Sequence, residues 1–597
     1  MSLFTDSSLC LVPSGVKDGK LYSVKPTDGS GDLTFSRGSD IEATRVGSDG
    51  FIQKAKVNLV LQSNQFDTSW LSSGTTETGG QAGYDGTNDA WLLQRSDGLA
   101  RFVYQFNAHT GVGTFSVYIK KGNVDWVLLS NGAGENRYFD LTNGVLGATG
   151  TAIDSKIESV GGGWFRCSIA VANSSEVRIY PAVGNGTVSG LVGANIYIQD
   201  AQLNYGLVAQ EYQETTTTSV ITGITNDMPR LDYSGGASCP SLLLEPQRTN
   251  LMPNSEYMGD YGTEGVVTIE HNSAMSPEGV QNATNLIADA TNSRHHLYYS
   301  GLSISGYATS VIYAKPNGHD YLAMSFINGS NSQGCGVIVD LTDGSVFSDF
   351  KNAEASFTIN VSDAANGFKR VEFAVYTFGS GLNFFSWGSS TSTFGWNAFT
   401  KMPSFTGDNT SGILIYGAQV EMGVTYPTSY IPTYGTSATR TSESCYKTGV
   451  SSLIGSSAGT MYLEVAALAD DLSERRFALS NGTNSNVARV GFTGVSNRII
   501  AVLYNGANQC ILTYNGADIT QTNKIAFTWS VNDFALFVNG VKRSSDASGT
   551  TFAANTLTRF GFDAGDGAGS ETYGKFDQVL LFKSRLSDSD LATLTTL

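Results

Sequence analysis

Apolar and polar residues alternate over short stretches of this chain, and glycine or asparagine residues separate the stretches. Runs such as FSVYIKK (115–121), IAFTWS (525–530) and FALFVNG (534–540) place aromatic and β-branched residues at alternating positions, which is typical of half-buried β-strands. Asn505-Gly506 and Asn539-Gly540 indicate hairpin turns, because these residue types tolerate a positive φ. Only the final segment, SDSDLATLTTL, predicts a helix, which begins at a Ser or Asp.

Two parts of the chain repeat the same landmarks in the same order. The paired landmarks are NLVLQSNQF (from Asn58) with NLMPNSEY (from Asn250), SVYIKKGNVDW (116–126) with SVIYAKPNGHDY (310–321), FDLTNG (139–144) with VDLTDG (339–344), GWFR (163–166) with GFKR (367–370), and DAQLNYG (200–206) with GAQVEMG (417–423). The offset between partners grows from 192 to 217, as expected for one module that was copied and then expanded in its loops.

These patterns predict an all-β, multi-domain protein with two jelly-roll or β-sandwich modules followed by a third sandwich. The length of 597 residues exceeds what one core supports, which agrees with several domains. The predicted divisions are an N-terminal segment (1–57), module one (58–215), a connector (216–249), module two (250–435) and a C-terminal domain (436–597).

The connector contains an unusual run of leucines between prolines, PRLDYSGGASCPSLLLEPQRTNL (229–251). Two short apolar runs flank the glycine-rich centre, which predicts an ordered hairpin and not a flexible linker. Its leucines need burial, which we expect against module one, module two or a neighbouring subunit.

Charge and cysteine content exclude several classes of function. Lys plus Arg total 36 against 53 for Asp plus Glu, which gives a net charge of −17 and no basic stripe for a nucleic acid. The six cysteines are scattered and form no zinc-binding pattern, so we expect reduced, buried thiols. The N-terminus does not resemble a signal peptide, and no apolar stretch is long enough to predict a membrane span.

Candidate catalytic and metal-binding residues are sparse. The carboxylates in YLEVAALADD (462–471) do not have the spacing of a glucanase strand, and the chain lacks nucleophile-elbow and phosphate-loop motifs, so we expect no enzymatic activity. A carboxylate pair shared between subunits stays open. Asp563, Asp566 and Glu571 lie among glycines in FDAGDGAGSE (562–571), which is either an oxygen-rich Ca²⁺ loop or a plain acidic turn. No other cofactor is expected.

The second module carries an enlarged segment that is rich in aromatic residues. The interval Arg166 to Ala201 is 35 residues, whereas Arg370 to Ala418 is 48, so module two has 13 more. The added segment contains the candidate residues Trp387, Phe394, Trp396, Phe399 and Phe405. Such rings either pack onto their own sheet, form a subunit interface, or provide platforms for sugar rings.

The C-terminal domain resembles concanavalin A-like, laminin-G-type lectin sandwiches in IAFTWS, FALFVNG and FDQVLLFKSRLSDSDL (576–591). The phrases FSRGSDIEATRVGSDGFI (35–52), PRLDYSGGASCPSLLLEPQRTNL and SYIPTYGTSATRT (429–441) resemble those of bacteriophage virion appendage proteins with carbohydrate-binding-like jelly rolls.

This resemblance implies a structural virion protein that assembles in the bacterial cytoplasm, attaches through its N-terminal segment to other virion proteins, and is a homotrimer. It implies a tail fibre or receptor-binding adhesin that contacts carbohydrate on the host surface. The alternatives are a head fibre or capsid decoration protein, and a depolymerase that degrades surface glycan.

Overall fold

The computed structural model describes residues 3–265, 267–328, 334–351, 355–567 and 569–597. The chain forms two compact units, each built from separate segments. The C-terminal unit contains Met1–Gln53, Ile224–Arg248 and Thr439–Leu597, and the tandem unit contains Lys54–Gly223 (module one) and Thr249–Ala438 (module two). No helix among the described residues is long and apolar enough to cross a bilayer.

The first half of the chain contains a short helix followed by 22 strands. The N-terminal segment forms α1 (Leu3–Asp6), β1 (Leu9–Leu11), β2 (Val16–Lys17), β3 (Lys20–Leu21), β4 (Leu33–Ser36), β5 (Arg45–Val46) and β6 (Ile52–Gln53). Module one forms β7 (Lys56–Asn58), β8 (Leu71–Ser73), β9 (Thr75–Gln81), β10 (Ala90–Arg95), β11 (Phe102–Phe106), β12 (Gly113–Lys121), β13 (Trp126–Ser130), β14 (Asn136–Asp140), β15 (Val145–Thr149), β16 (Asp154–Gly161), β17 (Trp164–Val171), β18 (Glu176–Ala182), β19 (Asn195–Tyr205) and β20 (Val220–Thr222). The connector forms β21 (Arg230–Asp232) and β22 (Ser241–Leu244).

The second half is also almost entirely extended. Module two and its two ends form β23 (Arg248–Asn250), β24 (Gly262–Glu264), β25 (Val267–Ala274), β26 (Ala283–Ala288), β27 (Asn292–Ser293), β28 (His296–Tyr299), β29 (Ile304–Asn317), β30 (Tyr321–Asn328), β31 (Gly334–Asp340), β32 (Val346–Lys351), β33 (Ala355–Asp363), a 3₁₀ turn (Ala365–Gly367), β34 (Lys369–Ser390), β35 (Gly395–Trp396), β36 (Pro403–Thr406), β37 (Gly412–Met422) and β38 (Ala438–Arg440). The C-terminal domain forms β39 (Ser444–Thr448), a 3₁₀ turn (Ser451–Leu453), β40 (Gly459–Ala467), β41 (Arg475–Ser480), β42 (Asn486–Phe492), β43 (Arg498–Asn505), β44 (Asn508–Asn515), β45 (Asn523–Ser530), β46 (Asp533–Val538), β47 (Val541–Asp546), β48 (Arg559–Gly561), β49 (Gly574–Phe582) and α2 (Asp588–Leu594).

The C-terminal unit is a two-sheet sandwich that incorporates the N-terminal segment and the connector. One sheet has the order β21-β22-β49-β40-β45-β46-β47, with β1 also paired to β49, and the other has the order β2-β3-β4-β39-β48-β41-β42-β43-β44. The predicted hairpin is present as the antiparallel pair β21–β22. We expected its leucines to be buried against a module or a neighbouring subunit, but Leu231, Leu242 and Leu244 belong to the core of this sandwich. The strand β22 pairs with β49, more than 300 residues later, and local sequence patterns do not encode such a partner.

A buried ion cluster joins the three segments of this unit. Arg37, Arg230 and Arg440 come from the three phrases that flank the modules, and each has essentially no exposed side chain. Glu443 Oε1 accepts hydrogen bonds from Arg37 Nη1 at 2.9 Å and from Arg230 Nε at 2.8 Å. Glu245 Oε2 lies 2.8 Å from Arg230 Nη2 and 2.9 Å from Arg440 Nη1. The arginines of the three phrases therefore meet in one place, where they compensate the buried glutamates.

Modules one and two are sandwiches with the same strand scheme. In module one the sheets have the orders β16-β17-β12-β19-β10-β9 and β15-β14-β13-β18-β11-β8. In module two the long strand β34 takes part in both layers, because its first half pairs with β29 and β33 and its second half with β28 and β30. The five landmarks found in the sequence occupy equivalent strands and turns.

The repeated landmarks correspond to repeated hydrogen bonds. Asn58 Nδ2 donates to Ala201 O at 3.1 Å, and Asn250 Nδ2 donates to Ala418 O at 3.2 Å. Both asparagines are fully buried. The side-chain oxygen of each asparagine also accepts a backbone N–H from the last long strand of its module, which is β19 in module one and β37 in module two. Each asparagine therefore attaches the edge of its module to that strand. The repeated asparagine thus has a structural role in satisfying buried backbone groups.

Candidate functional site

A polar pocket of about 270 Å³ opens on the C-terminal unit between β39, β48 and the acidic loop that follows β48. It is lined by Ser444, Cys445, Tyr446, Arg559, Phe562, Asp563, Asp566, Gly567 and Glu571. The three acidic residues proposed from the sequence as a Ca²⁺ loop therefore line one pocket. Tyr446 and Arg559 were not identified from the sequence, since they lie 113 residues apart (559 minus 446) and no short motif connects them.

A buried ion pair forms the wall of this pocket. Arg559 Nη1 donates to Asp563 Oδ1 at 2.8 Å, and Nη2 donates to Oδ2, so the contact is bidentate. Asp563 Oδ1 also accepts the backbone N–H of Gly565 at 2.8 Å. The Arg559 guanidinium lies 5.1 Å from the ring centroid of Tyr446. These contacts fix the orientation of the arginine and leave the pocket with a rigid wall.

The other two acids of the pocket differ in their exposure to solvent. Asp566 is exposed and accepts a hydrogen bond from Asn484 Nδ2 at 2.5 Å, while Glu571 is half-buried at the pocket wall. Among the described residues, no three His, Cys, Asp or Glu side chains are arranged to hold a metal ion. Arg559 already neutralises Asp563, so these acids do not form a cage for a cation. The pocket is better suited to hydroxyl groups, which can bond to the remaining carboxylates and to Tyr446.

Cys445 lies in the pocket but does not provide a nucleophile. Burial, followed by the charge of Glu443, raises the pKa of this thiol far above its usual value. The reactive form of cysteine is the thiolate, so a thiol in this setting behaves as a small apolar side chain.

The carboxylates of YLEVAALADD (462–471), whose spacing differs from that of a glucanase strand, have separate partners. Glu464 accepts a hydrogen bond from the Tyr462 hydroxyl at 3.3 Å, and Asp471 lies 2.7 Å from Arg475. Asp470 accepts a backbone N–H from Asn497 at 3.1 Å.

The aromatic segment of module two folds largely onto its own sheet. Trp387 has no exposed surface and Phe405 is 3% exposed, so neither ring is available to a ligand in this structure. Phe394 and Trp396 are partly buried against Ala323, Ile338 and Met402. Phe399 is the exception, since 61% of it is exposed. The five candidates therefore do not form one binding platform.

A second cavity, of about 450 Å³, lies in module one and was not identified from the sequence. Phe106, His109 and Tyr205 contribute to its wall, together with Asn107. Phe106 is 63% exposed, and His109 packs edge-on against Tyr205 with centroids 4.6 Å apart. Burial lowers the pKa of His109, so its imidazole is neutral at pH 7. The cavity is accordingly uncharged and partly aromatic.

Comparisons with known proteins give faint overall likenesses and one domain match. No curated protein matches the chain. Similar solved structures include the CBM40 module of a Ruminococcus gnavus IT-sialidase bound to α2,3-sialyllactose, with 16% identity over 24% of this chain and 84% of that chain and a TM-score of 0.21. Domain 4 of the arabinanase AbnA from Geobacillus stearothermophilus, in complex with arabinotriose, has 13% identity over 26% and 73%, with a TM-score of 0.19.

Sheep galectin-11 in complex with glycerol is similar at 12% identity over 21% of this chain and 88% of that chain, with a TM-score of 0.15. Such low scores carry no argument about ligands. Residues 441–592 match the family model of the concanavalin A-like lectin/glucanases superfamily. The nearly all-β chain thus ends in a concanavalin A-like domain, and this domain contains the Arg559 pocket.

Proposed function

We propose that the chain is a structural, glycan-binding protein whose C-terminal domain holds a saccharide in the Arg559 pocket. The observation that carries this proposal is a rigid pocket in a concanavalin A-like domain that is lined by Tyr446 and by the carboxylates of Asp566 and Glu571. Carboxylates accept hydrogen bonds from sugar hydroxyls, and an aromatic ring packs against the apolar face of a sugar. Binding, and not hydrolysis, is the role proposed for these groups.

Within this function, the protein is an appendage of a bacteriophage particle and serves as a tail fibre or receptor-binding adhesin. The connecting phrases support this assignment by their resemblance to virion proteins. A homotrimer displayed in several copies makes weak sugar sites effective through avidity. A head fibre or capsid decoration protein is the second candidate, and a glycan-degrading depolymerase is the third.

The pocket is tested with the full-length chain on an array of bacterial and animal glycans. Asp566→Asn and Glu571→Gln keep the shape of the side chain but remove its charge, so we expect binding to fall roughly tenfold or more, as for loss of a charged hydrogen bond. Asp518→Asn is the matched control, since Asp518 is exposed in the same unit but does not line the pocket. Equal binding by all three variants, or no binding by the unaltered chain, contradicts the proposal.

The place of the protein on the particle needs a separate experiment. Gold-labelled antibody against the chain, imaged on intact virions, is expected to decorate the tail. Decoration of the capsid alone favours the head-fibre alternative, and absence from the virion rejects both. Release of reducing ends from host polysaccharide by the purified chain favours the depolymerase.

A further inference from the structure

The register of the strands shows which positions of modules one and two are equivalent. In module one, Trp126 pairs with Asp140 and Leu128 with Tyr138. In module two, Tyr321 pairs with Asp340 and Ala323 with Ile338. Because both aspartates begin the same DLTxG turn, these pairs occupy the same places on equivalent sheets. The strands on the other side are equivalent too: Leu128 of β13 pairs with Tyr180 of β18, and Ala323 of β30 pairs with Gly388 of β34.

In module two this sheet face is covered by residues 391–406, which we call the covering segment. Trp396 Nε1 donates to Ser348 Oγ at 3.1 Å, and Ser325 Oγ donates to Thr400 O at 3.0 Å. Met402 is 1% exposed and packs on Ala323 and Ile338. The residues beneath the segment are small, as Ala323, Ser325 and Gly388 illustrate, so that the segment can approach the sheet.

Module one has large side chains at the same positions and a shorter connection. Leu128 and Tyr180 stand where module two has Ala323 and Gly388. The connection between β18 and β19 turns toward Arg95 of β10, whose Nη2 donates to Leu191 O at 2.5 Å. Arg95 belongs to the opposite sheet, so residues 188–191 of this connection are anchored there, whereas Asn185 contacts the edge strand β15 by accepting the Ala148 N–H at 2.5 Å. On the β13 sheet, Phe106 is 63% exposed and Phe102 and Tyr104 are partly exposed, whereas Tyr180 is only 9% exposed.

These rings form a continuous strip that ends at the cavity of module one. Phe106 lies 5.4 Å from Tyr104, Tyr104 lies 5.4 Å from Phe102, and Phe102 lies 4.4 Å from Tyr180, measured between ring centroids. Phe106 at the end of the strip is also part of the cavity wall. We define the aromatic strip as Phe102, Tyr104, Phe106 and Tyr180. Its three β11 rings share one side of the strand because they alternate with buried Val103 and Gln105.

Hydrogen-bonding groups lie between the rings, and their charge is balanced. Arg178 is held by Glu176, with Nε to Oε1 at 2.7 Å and Nη2 to Oε2 at 3.0 Å, and its guanidinium lies 4.8 Å from the Phe102 centroid. Arg178 Nη1 also donates to the Tyr180 hydroxyl at 3.2 Å. Flat apolar faces with hydroxyl, guanidinium and carboxylate groups at their edges match a sugar, which has an apolar face and polar edges.

We infer that the aromatic strip and the adjoining cavity of module one form a second carbohydrate site, which takes a neutral oligosaccharide. This inference rests on the proposed glycan-binding function but concerns a different module. A sugar is the occupant that the strip supports, because its rings have a hydroxyl and a guanidinium group at their edges, and a contact with a second copy of the chain is an outcome that the test below distinguishes. The balanced Arg178–Glu176 pair and the neutral His109 give no attraction for an ionic ligand.

The test uses the full-length chain in native gels that contain dextran, galactomannan or arabinan. The expected result is retardation by at least one of these neutral polysaccharides. Phe106→Ala and Tyr104→Ala are expected to weaken it roughly two- to tenfold each, as for loss of one ring contact. Phe399→Ala is the matched control, since Phe399 in module two is 61% exposed and Phe106 is 63% exposed. Unchanged melting curves establish that the variants are folded.

Other outcomes separate this site from the Arg559 pocket. Retardation that only Asp566→Asn and Glu571→Gln remove overturns the module-one site and leaves the proposed function intact. Absence of retardation by every neutral polysaccharide also overturns it, while the glycan array decides independently on the pocket. A change in molecular mass by light scattering for Phe106→Ala shows that the strip is a contact between copies, which rejects the inference.

Discussion

At the scale of single residues, the duplication allows each position to be compared with its counterpart. The long strands β19 and β37 both carry a β-bulge, where Asp200 has φ 53° and Gly417 has φ 69°. Glycine accepts this left-handed conformation without strain, whereas aspartate does so less readily. Asp200 is also 7% exposed, and its carboxylate accepts the Tyr84 hydroxyl at 2.9 Å. Module one therefore has a buried aspartate, Asp200, at the position where module two has Gly417.

Asp200→Asn is expected to stabilise module one above pH 6. Burial raises the pKa of Asp200 to about 6 from 3.8, despite the hydrogen bond from Tyr84. Between these pH values the folded state binds more protons than the unfolded state, so stability falls as pH rises and the full penalty is present above pH 6. The two-unit shift corresponds to about 3 kcal/mol at most. Asparagine keeps the acceptor and tolerates the positive φ.

The measurement is calorimetry of the full chain at pH 5 and pH 8. The unaltered chain is expected to lose stability in the module-one transition between these values, and Asp200→Asn to lose less. Asp67→Asn, an exposed position in the same module, is the control. A variant that is no more stable than the unaltered chain at pH 8 contradicts the assigned role of burial.

At the scale of elements, local signals in the sequence were sufficient wherever the structure is decided locally. Asn539 and Gly540 have φ of 51° and 80°, as the hairpin prediction requires, and α2 is capped by Ser587, whose side chain accepts the Asp590 N–H. Local signals could not predict which strands pair with the connecting segments. Leu9 pairs with Leu581, and β22 pairs with β49, because a core formed far along the chain accommodates their leucines. Nothing near Arg559 in the sequence indicated Tyr446 either.

Glu443→Ala is expected to destabilise the C-terminal unit by about 3–5 kcal/mol, because it leaves Arg37 and Arg230 buried without their shared carboxylate. Chemical denaturation of the full chain, followed by tryptophan fluorescence, measures this change. Glu474→Ala is the control: its pair with Arg476 is solvent-exposed on the acid side, so the expected cost is below about 1 kcal/mol. If both variants lose a similar free energy of unfolding, the burial of the ion cluster does not add to the stability of the unit.

At the scale of the whole molecule, the chain order differs from the order of folded units. The predicted N-terminal attachment segment (1–57) contributes β1–β4 to the two sheets of the C-terminal unit. Its role in attachment stays a prediction, but any such contact is made by a segment that is already part of a sandwich. The concanavalin A-like domain was predicted from the resemblance of its strand sequences to lectin sandwiches, whereas its completion by distant segments depends on long-range pairing that periodicity does not reveal.

A buried salt bridge between Lys54 of module one and two glutamates of module two connects the modules. Its contribution to their contact can be tested by substitution. Lys54 Nζ lies 2.7 Å from Glu256 Oε1 and 2.7 Å from Glu278 Oε2. Burial alone would lower the pKa of Lys54, but Glu256 and Glu278 raise it by more than burial lowers it. The pKa of Lys54 is therefore above its usual value, and the ammonium group stays charged. Lys54→Ala removes the cation and leaves both acids in a desolvated contact, which we expect to cost about 3–5 kcal/mol.

Lys56→Ala is the matched control for this prediction, since Lys56 is two residues away and pairs with Glu211 in solvent. Its expected effect is below about 1 kcal/mol. Limited proteolysis of the full chain, together with calorimetry, distinguishes the two variants. Cleavage after Lys54→Ala is expected to separate intact modules, because each keeps its own core and its own buried asparagine. If the modules instead unfold together at an unchanged temperature, the contact between them does not depend on Lys54, and the apolar surfaces around it hold the pair.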